Sequence, residues 1–232
     1  MKAVILAAGK GTRMLPLTKS IPKVLVKING KPFLYYVIKT LQNAGFDDVV
    51  LIVGYKQEKI KEFLSEYHFS AKLIEQKEQL GTGHAIALAK GFVGKDNFLV
   101  YYGDSLFSVA DLQLFCIDDD LTYMAGKEVS DWKKYGILQV KDGYLQKTVE
   151  KPSSFVGNVA WPGFFKSTPL LFKKLSNIGV SPRGEIEVTD AINLLAQEKK
   201  VKVLPLQDYW LDLSSPEDIP KIEKFLKEKW KE

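Results

Sequence analysis

Along this 232-residue chain the pattern of apolar and polar positions changes period at regular intervals. KAVILAA (2–8) is apolar on consecutive positions, short and closed by glycine, which predicts a strand buried on both faces. KPFLYYVIKTLQNAG (31–45), after KVLVKI, predicts a helix: Pro32 stands at its start, apolar residues 34, 37, 38 and 41 share one face, and Gly45 ends it. DDVVLIVG (47–54) reads as a second buried strand and KQEKIKEFLSEY (56–67) as a second amphipathic helix. AKLIEQ, a helix from about Gly83 to Lys90, and NFLVYYGD repeat the alternation. Strand, helix and strand in succession predict an α/β fold with a mostly parallel sheet covered on both faces.

From Asp120 the texture changes. LTYMAGKEV, YGILQV, GYLQKTVEKP and VAWPGFFKS are short strand-like runs, expected to form antiparallel additions as a wall beside the first half. Helices return at LLFKKLS and EVTDAINLLAQEKK, then comes the strand VKVLPL, and a last helix starts at about Pro216. No linker, low-complexity tract or repeat interrupts the chain, so the expectation is one domain over 1–232, with halves at about 1–118 and 119–232.

Composition narrows the class. Hydrophobic residues make up 46% and charged residues 26%, as in a globular chain with a substantial core. The net charge of +5 and pI near 9.0 suit a nucleic acid, a membrane surface or a phosphorylated small molecule equally well. The lysines are spread out except in the tail KIEKFLKEKWKE, read as a solvated helix face, so no nucleic-acid partner is expected. Cys116 alone rules out an internal disulfide and is read as core filler, and the isolated His68 and His84 argue against zinc. The opening apolar run is too short for a signal-peptide core, and no run approaches the ~18 residues of a membrane span. A cytoplasmic protein with no membrane partner is expected.

The candidate chemistry begins at LAAGKGTRM. A dinucleotide fingerprint would need a third glycine where Met14 stands, and Pro16 interrupts the expected helix; the phosphate-loop pattern G-x-x-x-x-G-K-[ST] is absent as well. Gly9 and Gly11 instead allow backbone N–H groups to crowd one concavity, Arg13 adds a planar fork of donors, and Lys23 a compact cation. That set predicts a triphosphate cradle.

AAGKGTRMLPLTKSIPK resembles the signature G-x-G-T-R-x-x-P-x-T followed by P-K of the sugar-1-phosphate nucleotidylyltransferases, with Ala8 where many members carry glycine. EQKEQLGTGHA is similar to the base-recognition stretch of the N-acetylglucosamine-1-phosphate uridyltransferases, and RGEIEVTDA to a thymidylyltransferase motif. The resemblance implies a Rossmann-like sheet with antiparallel sugar-binding insertions, the nucleotide-diphospho-sugar transferase fold. On that reading the first half binds nucleotide and the second binds sugar and closes the site.

For the site the resemblance implies Arg13 and Lys23 as catalytic cations, with Leu6, Ala8, Gly9, Gly11, Thr12, Gln76, Gly81 and Thr82 around the nucleotide. Gly136, Glu150, Lys151, Asn158 and Gly163 would hold the sugar phosphate, and Asp104 and Asp212 would hold Mg²⁺. Trp161 and Pro162 depart from the family's commoner Val-Thr. Glu185 and Asp190 are expected to be structural, through capping and loop anchoring, and His84 to pack behind the base loop. The partners implied are a nucleoside triphosphate and a sugar 1-phosphate. The Gln76 amide points to a pyrimidine, UTP or dTTP, and glucose 1-phosphate is the default acceptor. Another nucleotide or sugar, a non-catalytic nucleotide-sugar sensor and a homo-oligomer are left open.

Overall fold

A computed structural model describes residues 1–230; Lys231 and Glu232, the last two residues of the lysine-rich tail, lie outside the described residues. The first half carries β1 (Lys2–Ala7), β2 (Lys27–Ile28), β3 (Lys31–Pro32), α1 (Phe33–Asn43), β4 (Val49–Val53), α2 (Gln57–Glu66) and β5 (Lys72–Glu75). After these come α3 (Thr82–Leu88), α4 (Lys90–Val93), β6 (Phe98–Tyr102), β7 (Ser105–Phe107) and α5 (Val109–Gln113). The second half adds β8 (Thr122–Glu128), β9 (Gly136–Lys141), β10 (Tyr144–Glu150), β11 (Val159–Ala160) and β12 (Phe164–Ser167). It ends with α6 (Leu170–Leu175), α7 (Val188–Gln197), β13 (Val201–Pro205), β14 (Trp210–Asp212) and α8 (Ile219–Lys229).

Ten strands form one sheet in the order β11-β9-β10-β13-β8-β12-β6-β1-β4-β5. β6, β1, β4 and β5 are parallel; in β6, β1 and β4 the consecutive apolar residues follow from cover on both faces, while the edge strand β5 is only partly buried. Along β4, Val49, Leu51 and Val53 face one apolar cluster, with residues of α1, α2 and α8; Val50 and Ile52 face another, with residues of α3, α6 and α7. The helix read at 31–45 runs over Phe33–Asn43, with Pro32 at its N-cap and Gly45 just past its end, and the one read at 83–90 continues to Val93 through a break at Ala89.

The additions extend the same sheet and are not a separate wall. β12 enters antiparallel between β6 and β8, while β13 pairs parallel with β8 and antiparallel with β10. The crossover through α6 and α7 returns the chain to the same sheet end. VAWPGFFKS is not one strand: it breaks at Trp161–Gly163 between β11 and β12. Phe115 is fully buried beside Phe164, whereas Cys116 is exposed, so the core filler is one residue earlier than expected.

Strand order reverses at β1, which leads to β4 and β5 on one side and has β6 on the other. Loops leaving the carboxyl ends of β1 and β6 therefore diverge over a crevice, where open α/β sheets bind ligands. The Gly103 N–H donates to the Leu6 carbonyl at 3.0 Å and fixes the floor of that crevice.

Candidate active site

Past β1 the chain turns at Gly9 and Gly11. Gly11 has φ +63°, and a Cβ there would stand 2.9 Å from Lys23 Cβ and 3.1 Å from Thr18 Cγ2. The loop thus lies directly on the Lys23 stem, held by the Thr18 hydroxyl, which donates to the Gly11 carbonyl at 2.8 Å. A Cβ on Gly9 would meet nothing within 4 Å; that residue faces open space. A cavity of about 210 Å³ is lined here by Leu6, Gly9, Gly11, Thr12, Arg13, Lys23 and Asp104. Ala8 does not line it: Ala8 is buried, and its carbonyl accepts the Gln79 amide at 2.7 Å.

Asp104 and Asp212 are brought together by a two-strand ribbon that the sequence pattern does not announce. β14 pairs antiparallel with β7, setting Asp212 opposite Ser105, and the Leu213 N–H donates to the Asp104 carbonyl at 2.9 Å. Lys23 Nζ forms an ion pair with Asp104. Ser214 Oγ donates to Asp212 at 2.5 Å. Burial, and then the Asp104 carboxylate beside it, push the Asp212 carboxyl up to about 6.

Two converging acids that resist joint ionisation are a donor set a divalent cation completes. Among the described residues no group of three or more His, Cys, Asp or Glu gathers anywhere. A hard cation content with one or two carboxylates, its other positions taken by phosphate oxygens and water, fits that pair; an all-protein cage does not.

A second cavity, about 300 Å³, opens beside the first and includes Thr82, Asp104, Gly136, Glu150, Gly163 and Asp212. Gly136 sits opposite Glu150 in the β9–β10 register, where a Cβ would meet the Glu150 carboxylate at 2.9 Å. Lys151 lines a third, about 840 Å³, with Lys133, Lys134, Lys221 and Asp212. Arg13 borders all three cavities, as does Ser214 among the candidate residues' neighbours.

The loop from Gln76 to Gly81, before α3, is built against the second half. Gln76 is buried, and its amide nitrogen lies 3.1 Å from both the Gly81 carbonyl and His84 Nδ1, which puts His84 behind the loop. Ile186 N–H donates to Leu80, and Gly83 N–H donates to Ile186, at 2.7 and 2.8 Å. A Cβ on Gly81 would come within 2.6 Å of the Ile186 carbonyl. Thr82 Oγ1 accepts the Val188 N–H at 3.3 Å.

Gln76 and Gly81 line none of the three cavities, and neither does Asn158, which is exposed and accepts the Val129 N–H through its carbonyl. Glu185 lines the second cavity and caps no helix, contrary to its structural reading; α7 has no side-chain cap. Sequence reasoning missed Glu187 and Arg183, an ion pair at 2.7 Å on the same cavity, and Tyr135, Trp210 and Ser214. The available signals were the RGEIEVTDA motif that holds Arg183 and Glu187, and the nearness of Tyr135 to Gly136 and of Trp210 and Ser214 to Asp212.

Residues 2–229 match the model of the nucleotidyl transferase family. The chain is 39% identical over 233 residues to the bifunctional protein GlmU of Methanocaldococcus jannaschii, covering 99% of this chain and 55% of that one. It is 36% identical to the low-salt glycan biosynthesis nucleotidyltransferase Agl11 of Haloferax volcanii, covering 94% and 64%. It therefore spans about half to two thirds of the length of these relatives. Among solved structures, UDP-glucose pyrophosphorylase complexed with UDP-glucose superposes with a TM-score of 0.87 at 25% identity, over 98% of each chain. The UTP-bound UGPase from Acinetobacter baumannii gives 0.81 at 27% identity, over 99% and 94%. The Rossmann-like sheet with its insertions is thus the nucleotide-diphospho-sugar transferase fold, and the chain belongs to the nucleotidyl transferase family.

Proposed function

We propose that the chain makes a nucleoside diphosphate sugar and pyrophosphate from a pyrimidine nucleoside triphosphate, UTP or dTTP, and a hexose 1-phosphate, with glucose 1-phosphate as the reference acceptor. The observation that carries this reading is Arg13, whose side chain borders the glycine-loop cavity, the cavity with Glu150 and the one with Lys151. One guanidinium facing all three spaces suits a reaction in which two phosphates meet.

The acceptor's phosphate oxygen attacks the α-phosphorus, and pyrophosphate leaves from the opposite side. Two like charges ~4 Å apart near a protein surface repel by about 4 kcal/mol, so the two polyanions need cations before they can approach. Lys151 offsets the acceptor's charge, while Arg13 and Lys23 offset the donor's and stabilise charge building on the α-phosphate. Lys23 starts paired with Asp104, which keeps its ammonium beside the glycine loop. Asp104 and Asp212 would hold Mg²⁺, which when bound supplies Lewis-acid polarisation of phosphate oxygens. The Gln76 amide nitrogen is committed to Gly81 and His84, so the side chain offers a base its oxygen, an acceptor for the imide N–H that uracil and thymine share. Orienting the reactants adds about 7–11 kcal/mol in favourable cases, and no covalent nucleophile is needed.

The test is a matrix of five nucleoside triphosphates against several hexose 1-phosphates with Mg²⁺, read as pyrophosphate release. UTP or dTTP should be the best donors. No pyrophosphate from any pair would refute the reading.

A further inference from the structure

Asp111, on α5, is 1% exposed and borders none of the three cavities of the site. Its two carboxylate oxygens are taken by successive backbone groups of the strap between β13 and β14. The Gln207 N–H donates to Oδ1 at 2.9 Å and the Asp208 N–H to Oδ2 at 3.0 Å. Lys127 holds the same strap by its carbonyls, donating to Leu206 at 3.3 Å and to Asp208 at 2.7 Å. Asp111 is itself fixed close behind β7, where its N–H donates to the Ser108 hydroxyl at 3.0 Å.

The strap leads straight into the ribbon that carries Asp212. β7 ends at Phe107 and β14 begins at Trp210, so no turn joins the two strands and none sets their register. The apolar pattern settles only part of it. A slip of one residue would take Leu211 and Leu213 out of the core cluster they pack in. A slip of two keeps every side chain on its face, yet carries Asp212 about 7 Å along the ribbon from its place beside Asp104. Asp111 opposes that slip, because its two oxygens accept from the Gln207–Asp208 pair of amides and no other.

We infer that Asp111 is a positioning residue for the metal pair: it sets the register in which β14 lies on β7, and through it the place of the Asp212 carboxylate beside Asp104. The inference rests on the proposed function, in which those two acids hold Mg²⁺, and adds a residue that never touches the ion. Loss of a group that orients a metal ligand weakens metal binding by about 10–100-fold.

The experiment titrates Mn²⁺ alone into the nucleotide-free protein below its melting transition, follows water-proton relaxation, and records a thermal melt of each variant. Asp212→Asn, which removes a ligand, marks the site. Asp111→Asn keeps the shape but turns an amide NH₂ toward a backbone N–H, so it should weaken Mn²⁺ binding about 10-fold or more in the folded protein. Lys127→Met, which frees the carbonyls of the strap, should weaken it in the same direction. A lower melting temperature with wild-type Mn²⁺ affinity in Asp111→Asn is what a merely structural acid would give, and it overturns the inference. Should Asp111→Asn fail to fold, wild-type affinity in Lys127→Met overturns it instead. If Mn²⁺ binds wild type and Asp212→Asn equally, or binds neither, the two-carboxylate assignment falls first and takes this inference with it.

Discussion

Gly9 and Gly11 are two residues apart in one loop, yet alanine should harm them by different routes. At Gly11, φ +63° costs an L-residue about 1–2 kcal/mol. The new methyl also presses on Lys23 Cβ at 2.9 Å, and overpacking of this kind costs about 1–3 kcal/mol. Reduced freedom of the unfolded chain returns about 0.4–1 kcal/mol. The net loss is about 1–4.6 kcal/mol, a melting temperature lower by roughly 2–18 °C for a chain of this size. At Gly9 neither penalty applies, since its φ is not positive and nothing stands within 4 Å. Gly9→Ala should melt within about 1 kcal/mol of wild type. Its methyl nevertheless occupies space that a phosphate needs, so KM for the nucleoside triphosphate should rise about 10-fold or more. Thermal melts of the metal-free proteins, paired with steady-state pyrophosphate release, separate the two effects. Wild-type KM in Gly9→Ala, or wild-type melting in Gly11→Ala, would refute the reasoning.

Arg13→Ala should lower kcat by at least about 10²-fold with an unchanged melting temperature, because the side chain is exposed and directed at reacting phosphates. EDTA should abolish pyrophosphate release and Mg²⁺ restore it, with Asp104→Asn and Asp212→Asn each impaired; full activity in a chelated sample would contradict the two-carboxylate assignment. Gly81→Ala, whose methyl would sit 2.6 Å from a carbonyl oxygen of the facing loop, should raise KM for the donor by shifting the loop that holds Gln76; an unaltered KM would free that loop from base binding.

Much of the fold was readable because it is written in short-range patterns. Buried parallel strands need consecutive apolar residues, and helices against them need one apolar face, so β1, α1, β4, α2 and β6 stand out locally. The glycine loop was legible for the same reason: Gly11 must adopt a backbone conformation that few other residues tolerate. The second half was less legible. Trp161 and Phe164 read as one strand because hydrophobicity alone does not mark a turn, and the direction of β13 has no local signal because it depends on the connection through α6 and α7.

The sequence by itself determined the local chemistry of this protein: a turn that exposes backbone donors, cations beside it, and acids at the ends of apolar runs. Only the tertiary structure decided which of these meet. Asp212 joins Asp104 because β14 pairs with β7, and the loop before α3 meets the Glu187 segment through Ile186. Such contacts arise from long-range burial and hydrogen bonding, which no window of neighbouring residues encodes. The turn at Trp161–Gly163 likewise exists only where β11, β12 and Tyr102 pack together.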